Sequence, residues 1–151
     1  MAEQLGRAFI AYLGPGKYAV TRDMRVSSPS LTKAFIEGAV LQGGTIYDYG
    51  LMGTDQMYYA VAADRLDGGA QVTASHNPPA DNGYKAYLAA GSQIVSPIDT
   101  EISECIAGFD PLTIDLADAD DPLIDRLDGT WVDRYVEVAP SVRLRPDVAG
   151  V

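Results

Sequence analysis

Residues 71–87 read QVTASHNPPADNGYKAY. The run holds the chain's one histidine, His76, directly after Ser75 and shortly before a Pro-Pro pair, and Lys85 follows. A turn needs only the prolines and Asn82-Gly83, so Ser75, His76 and Lys85 together ask for a chemical reason. Hydrolysis by a serine nucleophile needs a histidine that is hydrogen-bonded to the serine and oriented by a carboxylate. Here the histidine is the next residue, and neighbours in an extended chain point to opposite sides. The G-x-S-x-G elbow is also absent. Phosphoryl transfer fits better. A phosphorylated Ser75 would bring about −1.5 to −2 charge and three acceptor oxygens. Basic groups and a metal must balance that charge during transfer, and His76, Lys85, Arg22 and Arg25 are the bases at hand.

The elements that would position these residues alternate in type. Leu5, Phe9 and Tyr12 mark one face of a helix ending at Gly14. Residues 18–21 read as a short buried strand. Ser28-Pro29 looks like an N-cap and first helical position, opening a helix to about Gln42 with Leu31, Phe35, Gly38 and Ala39 inward. A strand over 45–49 follows, then a helix from Asp55 to about Leu66 capped by Thr54, then strands over 70–73 and 84–88. Ser96-Pro97 with Asp99 opens a further helix, and Thr130 with Asp133 opens a last one through about Val138, with Trp131 as its anchor. Residues 110–128 are rich in Asp and Pro and carry no periodic pattern.

This order predicts an α/β fold: a three-layer αβα sandwich around a mixed, mostly parallel sheet of about four strands. The fourth strand follows too short a loop for a crossover, so it is expected to pair antiparallel. Ligands in such sheets bind beyond the carboxyl ends of the strands. Three loops reach that edge, and they carry Arg22 and Arg25, then Thr54, then Ser75, His76 and Asn77.

Composition narrows the function. The 151 residues are 47% hydrophobic with a formal net charge of −10, which argues against a nucleic-acid partner. No apolar run is long enough to span a membrane. A single cysteine, Cys105, rules out an internal disulfide and suits a reducing, cytoplasmic setting. The acidic tract 110–128 lacks the glycine and terminal glutamate of a calcium loop and reads as a solvated connector.

The run TASHNPPADNGYKAY closely resembles the phosphoserine loop of the α-D-phosphohexomutase superfamily, the phosphoglucomutases and phosphomannomutases. VTRDMRVSSPSL resembles that family's first strand and G-R-D-x-R-x-S segment, and DYGLMGTDQMYYAV its second strand and following helix. The resemblance implies a phosphoserine at Ser75 that passes its phosphoryl group to a sugar monophosphate. The bisphosphorylated sugar turns over in the site and returns the other phosphate, giving 1- to 6- or 1- to 5-phosphate interconversion. It further implies Mg²⁺ bound through the Ser75 phosphate, an activator of the glucose 1,6-bisphosphate type, and a phosphorylated sugar as substrate. His76 and Asn77 would shape the loop, and Lys85 would neutralise charge or help move a proton. Arg22, Arg25 and Thr54 would face substrate.

The match departs from the family at three places. Thr21 stands where a glycine is usual, and the family's N-terminal G-T-x-G-x-R-G and acidic D-G-D-x-D-R segments have no counterpart in the sequence. The expected organisation is therefore a first mutase domain over 1–109, truncated at its N-terminus. Residues 110–151 would form an acidic connector and helix leading towards the remaining domains. A fragment of that kind is expected not to run the cycle alone. A different class, a non-catalytic module binding sugar phosphates or a partner chain, stands as the alternative.

Overall fold

The computed structural model describes residues 1–74, 78, 81–110, 113 and 115–142. Ser75, His76 and Asn77 lie outside the described residues, as do parts of the acidic tract and the C-terminal tail. The strands are β1 (Lys17–Arg22), β2 (Thr45–Leu51), β3 (Gly68–Thr73), β4 (Gly83–Leu88) and β5 (Ile124–Arg126). They lie in the order β4-β3-β1-β2-β5. β1 runs parallel to β2 and β3, β2 parallel to β5, and β4 antiparallel to β3. The expected antiparallel fourth strand is therefore present. The fifth corrects the expected count of about four. Its three residues lie in the Asp-rich stretch, where no period can show, and what places them is pairing to β2 rather than any local preference.

Among the described residues, five α-helices cover the two faces. α1 (Ala2–Leu13), α2 (Ser28–Leu41) and α4 (Ile98–Ala107) pack on one side, around Phe9, Ile10, Tyr18, Val20, Phe35, Ile46 and Ile102. α3 (Thr54–Ala63) and α5 (Thr130–Val138) pack on the other, around Ala19, Tyr49, Met57, Val61, Tyr87 and Trp131. Alternate residues of β1 serve opposite cores, as the pleat requires. α1 and α2 cross so closely that glycine is needed at both contact points. A Cβ on Gly6 would stand 2.1 Å from the Phe35 carbonyl oxygen, and one on Gly38 2.1 Å from that of Glu3.

Two helix starts differ from expectation. Ser27, not Ser28, is the N-cap of α2, because the Ser28 hydroxyl is drawn back to Asp23. Gly53, not Thr54, caps α3, and its N–H donates to Gln56 Oε1 at 2.8 Å. α3 also stops at Ala63, short of Leu66. Trp131 is buried beneath α5 as expected.

Candidate functional site

Three parallel strands deliver their loops to one edge of the sheet, and backbone bonds stitch those loops together. Met52 N–H donates to the Arg22 carbonyl at 3.0 Å, and Asp23 N–H donates to the Val72 carbonyl at 3.0 Å. The buried Gln71 side chain donates from Nε2 to the Met52 carbonyl, also at 3.0 Å. The loops after β1 and β2 thereby line an open trough of about 460 Å³, formed by Asp23, Met24, Leu51, Met52, Gly53 and Gln56.

Asp23 is the centre of this edge. Its carboxylate accepts the N–H of Arg25 at 3.1 Å, Arg25 Nε at 3.1 Å, the Ser28 hydroxyl, and the N–H of Ala74 at 3.3 Å. Burial alone would raise its pKa. The hydrogen bonds from Ser28, Arg25, Ala74 and the Thr73 side chain outweigh that and hold it below the usual carboxylate range. Arg25 continues the chain of contacts, since its Nη1 donates to the Pro78 carbonyl at 3.0 Å. Asn82 Nδ2 donates to Ser27 Oγ in a short contact. The loop after β1 thus grips Ala74 and Pro78, the residues flanking positions 75–77 in the chain, as well as Asn82 further on.

The expected site residues divide on this frame. Arg22 ends β1, Arg25 lies in the loop after it, and Thr54 is the first residue of α3, so all three belong to the carboxyl-end edge. Lys85 sits on β4 opposite Gln71. Residues directly opposite share a face, and the Gln71 side chain bonds Met52, which belongs to the α3 core. Lys85 therefore belongs to the α3 face. Arg22 shares the alternate face with Val20 and Tyr18, and its side chain lines a cavity against α2. The sheet accordingly separates Arg22 from Lys85. Arg25, with its side chain only 17% exposed, is a brace between two loops rather than an open surface charge.

Asp23 was absent from the expected site residues. Its signal was present: an acid between two arginines just past a strand end, five residues before Ser28. Gln71 was missed as well, because a polar residue inside an apolar strand reads as solvent-facing when the sheet's cover is unknown. Among the described residues, no group of three or more His, Cys, Asp or Glu side chains could hold a metal ion. No helix among them is long and apolar enough to cross a membrane.

Comparison with known proteins adds four findings. A family profile described as phosphoglucomutase/phosphomannomutase, alpha/beta/alpha domain I, matches residues 1–111. A probable phosphoglucosamine mutase of Methanopyrus kandleri is 39% identical over 108 residues, covering 72% of this chain and 24% of that protein. The phosphomannomutase of Escherichia coli is 44% identical over 85 residues, covering 56% of this chain and 19% of its own length. The chain thus spans a quarter or less of these two relatives. Among solved structures, a phosphoglucomutase/phosphomannomutase family protein from Burkholderia thailandensis superposes with a TM-score of 0.76 at 28% identity, over 93% of this chain and 31% of that one.

Proposed function

The chain belongs to the phosphoglucomutase/phosphomannomutase family through its match over residues 1–111, and on that premise we propose that it is the phosphoryl-carrying segment of a sugar-phosphate mutase, with Ser75 as the carrier. The observation that supports this most is the grip of Asp23 and Arg25 on Ala74 and Pro78. A residue that must pass a phosphoryl group in line needs its flanking backbone fixed, because misplacement at this scale is costly in rate.

In this reading the Ser75 Oγ–P bond breaks as a hydroxyl of a hexose or pentose monophosphate forms its own O–P bond, and the hydroxyl proton leaves to a nearby base. The resulting bisphosphate reorients and returns its other phosphoryl group to Ser75, so the enzyme ends as it began. Lys85 offsets negative charge or relays the proton, while His76 and Asn77 shape the loop around the phosphoserine. Arg25 and Thr54 belong to the edge that receives substrate, and Arg22 ends β1 at that edge with its side chain turned to the α2 side. Mg²⁺ on the Ser75 phosphate would neutralise charge in transfer. The described residues do not supply a carboxylate cluster for it. Its other ligands, and the sugar-recognising parts, are proposed to lie outside residues 1–151, so this chain alone is proposed not to complete the cycle.

The test is phosphoryl loading. The chain, and the longest protein that carries it, are incubated with glucose 1,6-bisphosphate and Mg²⁺ and then mapped by peptide mass spectrometry. One phosphoryl group on Ser75, absent in Ser75→Ala, is expected in the longer protein. Mutase turnover by the longer protein with an unmodified Ser75 would overturn the reading.

A further inference from the structure

On the α2 side, the sheet changes character along its strands. Tyr18, Ile46 and Ile124 lie side by side across β1, β2 and β5 and face the apolar core. Two residues further towards the carboxyl ends, the next row is Val20, Asp48 and Arg126. Arg22 follows on the same face of β1. Over this charged row lies a cavity of about 220 Å³, walled by Arg22, Thr32, Lys33, Glu37, Asp48 and Arg126.

The side chains of that wall are incompletely satisfied. Lys33 Nζ is 3.5 Å from Glu37 Oε1, so those two charges are paired. Asp48 Oδ1 accepts the Gly50 N–H at 3.0 Å. Arg126 Nη2 donates to the Ala119 carbonyl at 2.7 Å, which leaves its positive charge uncompensated. Ion pairs among the described residues include none for Arg22, although it shares the cavity with two carboxylates. Thr32 is 4% exposed, and its Oγ1 is buried with no hydrogen-bond partner among the described residues. Buried polar atoms are nearly always paired. In a protein with a net charge of −10, three cations to two acids at one cavity inverts the local sign.

We propose that this cavity is a binding site for a small hydroxylated phosphate monoester, separate from the Ser75 carrier. Arg22 and Arg126 offer guanidinium forks matched to a phosphate. Asp48 and Glu37 offer oxygens suited to ligand hydroxyls. The volume equals roughly seven waters at their share in the liquid, below the ~300–1,000 Å³ of drug-sized pockets. It suits a few carbons and one phosphate, and a dinucleotide is too large. The site lies over β1, β2 and β5, whereas β3 pairs with the opposite edge of β1. The proposal does not depend on Ser75 being phosphorylated.

The experiment is an amide NMR titration of the ¹⁵N-labelled chain with glycerol 3-phosphate, with inorganic phosphate and glycerol as separate probes. Saturable shifts at Arg22, Thr32, Asp48 and Arg126 are expected with glycerol 3-phosphate, weaker ones with inorganic phosphate, and none with glycerol. Arg22→Gln should weaken binding about tenfold, the loss of one charge-assisted contact. Arg126→Gln, at an exposed strand position, should do the same and serves if Arg22→Gln does not fold. Ser75→Ala should leave the affinity unchanged. Absence of saturable shifts at millimolar ligand would overturn the proposal. So would shifts confined to residues 74–85, or unchanged affinity in both arginine variants. Loss of phosphoryl loading at Ser75 would bear on the carrier reading alone.

Discussion

The Asp23 carboxylate accepts the backbone N–H of Ala74 at 3.3 Å, across 51 residues of chain. This contact joins the loop after β1 to the last described residue before Ser75. A carboxylate that also takes Ser28 and two donors from Arg25 cannot be replaced by an amide without reversing one polarity. Asp23→Asn is expected to cost about 2 kcal/mol of stability, in the range of hydrogen bonds to charged groups. The Ala74 amide should also exchange with solvent faster than the amides of Ala70 and Val72. Urea titration and hydrogen exchange check the two effects. Protection of Ala74 equal to wild type would show that the contact does not hold the loop.

Arg25 is expected to tolerate no conservative change. Its Nε and Nη1 reach Asp23 and the Pro78 carbonyl at once, and a single ammonium cannot span both. Arg25→Lys should therefore behave much like Arg25→Ala. In the longer protein, both should slow phosphoryl loading of Ser75 more than they weaken sugar-phosphate binding. The check is a comparison of loading rate with KM, and a pure KM effect would recast Arg25 as a substrate contact.

How much of this was legible beforehand depended on the range of the forces involved. The three parallel strands and the antiparallel β4 follow from apolar runs and loop length, which are local. The edge carrying Arg22, Arg25 and Thr54 follows from those strands. Ser28 was misplaced by one position because its hydroxyl serves Asp23, a partner outside the helix. β5 could not be read because only Ile124 of its three residues packs on the core. The separation of Arg22 from Lys85 by the sheet needed the register of three strands, which a sequence does not state. Asp23 was legible as a residue type and illegible as a hub, since Ala74 is far away in sequence.

Gly38→Ala is expected to be among the most damaging single-methyl additions in the chain. The added Cβ would meet the Glu3 carbonyl at 2.1 Å and its Cα at 3.0 Å. These are backbone atoms of α1, so no flexible side chain can yield. The helices must separate, which costs about 1–3 kcal/mol or more for an overpacked site. Gly129→Ala, where nothing lies within 4 Å, is the control. Thermal melts of the two variants provide the test, and equal midpoints would mean that α1 and α2 cross less closely.

Trp131 is the chain's only tryptophan, so its emission reports one place, the docking of α5. Its Nε1 donates to Asp64 Oδ2 at 2.9 Å, and the same carboxylate accepts Tyr49 Oη at 2.6 Å and the Arg134 guanidinium. Burial pushes the Asp64 pKa up, but the bonds from Tyr49, Trp131 and Arg134 together draw it below its ordinary value. A carboxyl with a depressed folded-state pKa stabilises the fold fully above its unfolded value, about 3.9. That stabilisation is lost as pH falls through the lower folded value, because the unfolded state takes up the proton first. α5 should therefore stay docked at neutral and mildly acidic pH and loosen only below about pH 4, seen as a red shift of Trp131 emission. In Asp64→Asn the acid step at this position should vanish. The emission should already be partly shifted at pH 7, since an amide cannot accept all three donors while its own N–H groups face Tyr49 and Arg134. Raised salt should change little of this, because Asp64 is mostly shielded, with its side chain 23% exposed. An acid midpoint unchanged by Asp64→Asn would move the cause to another carboxylate, with Asp55, which bonds Tyr135 on the same helix, as the next to replace.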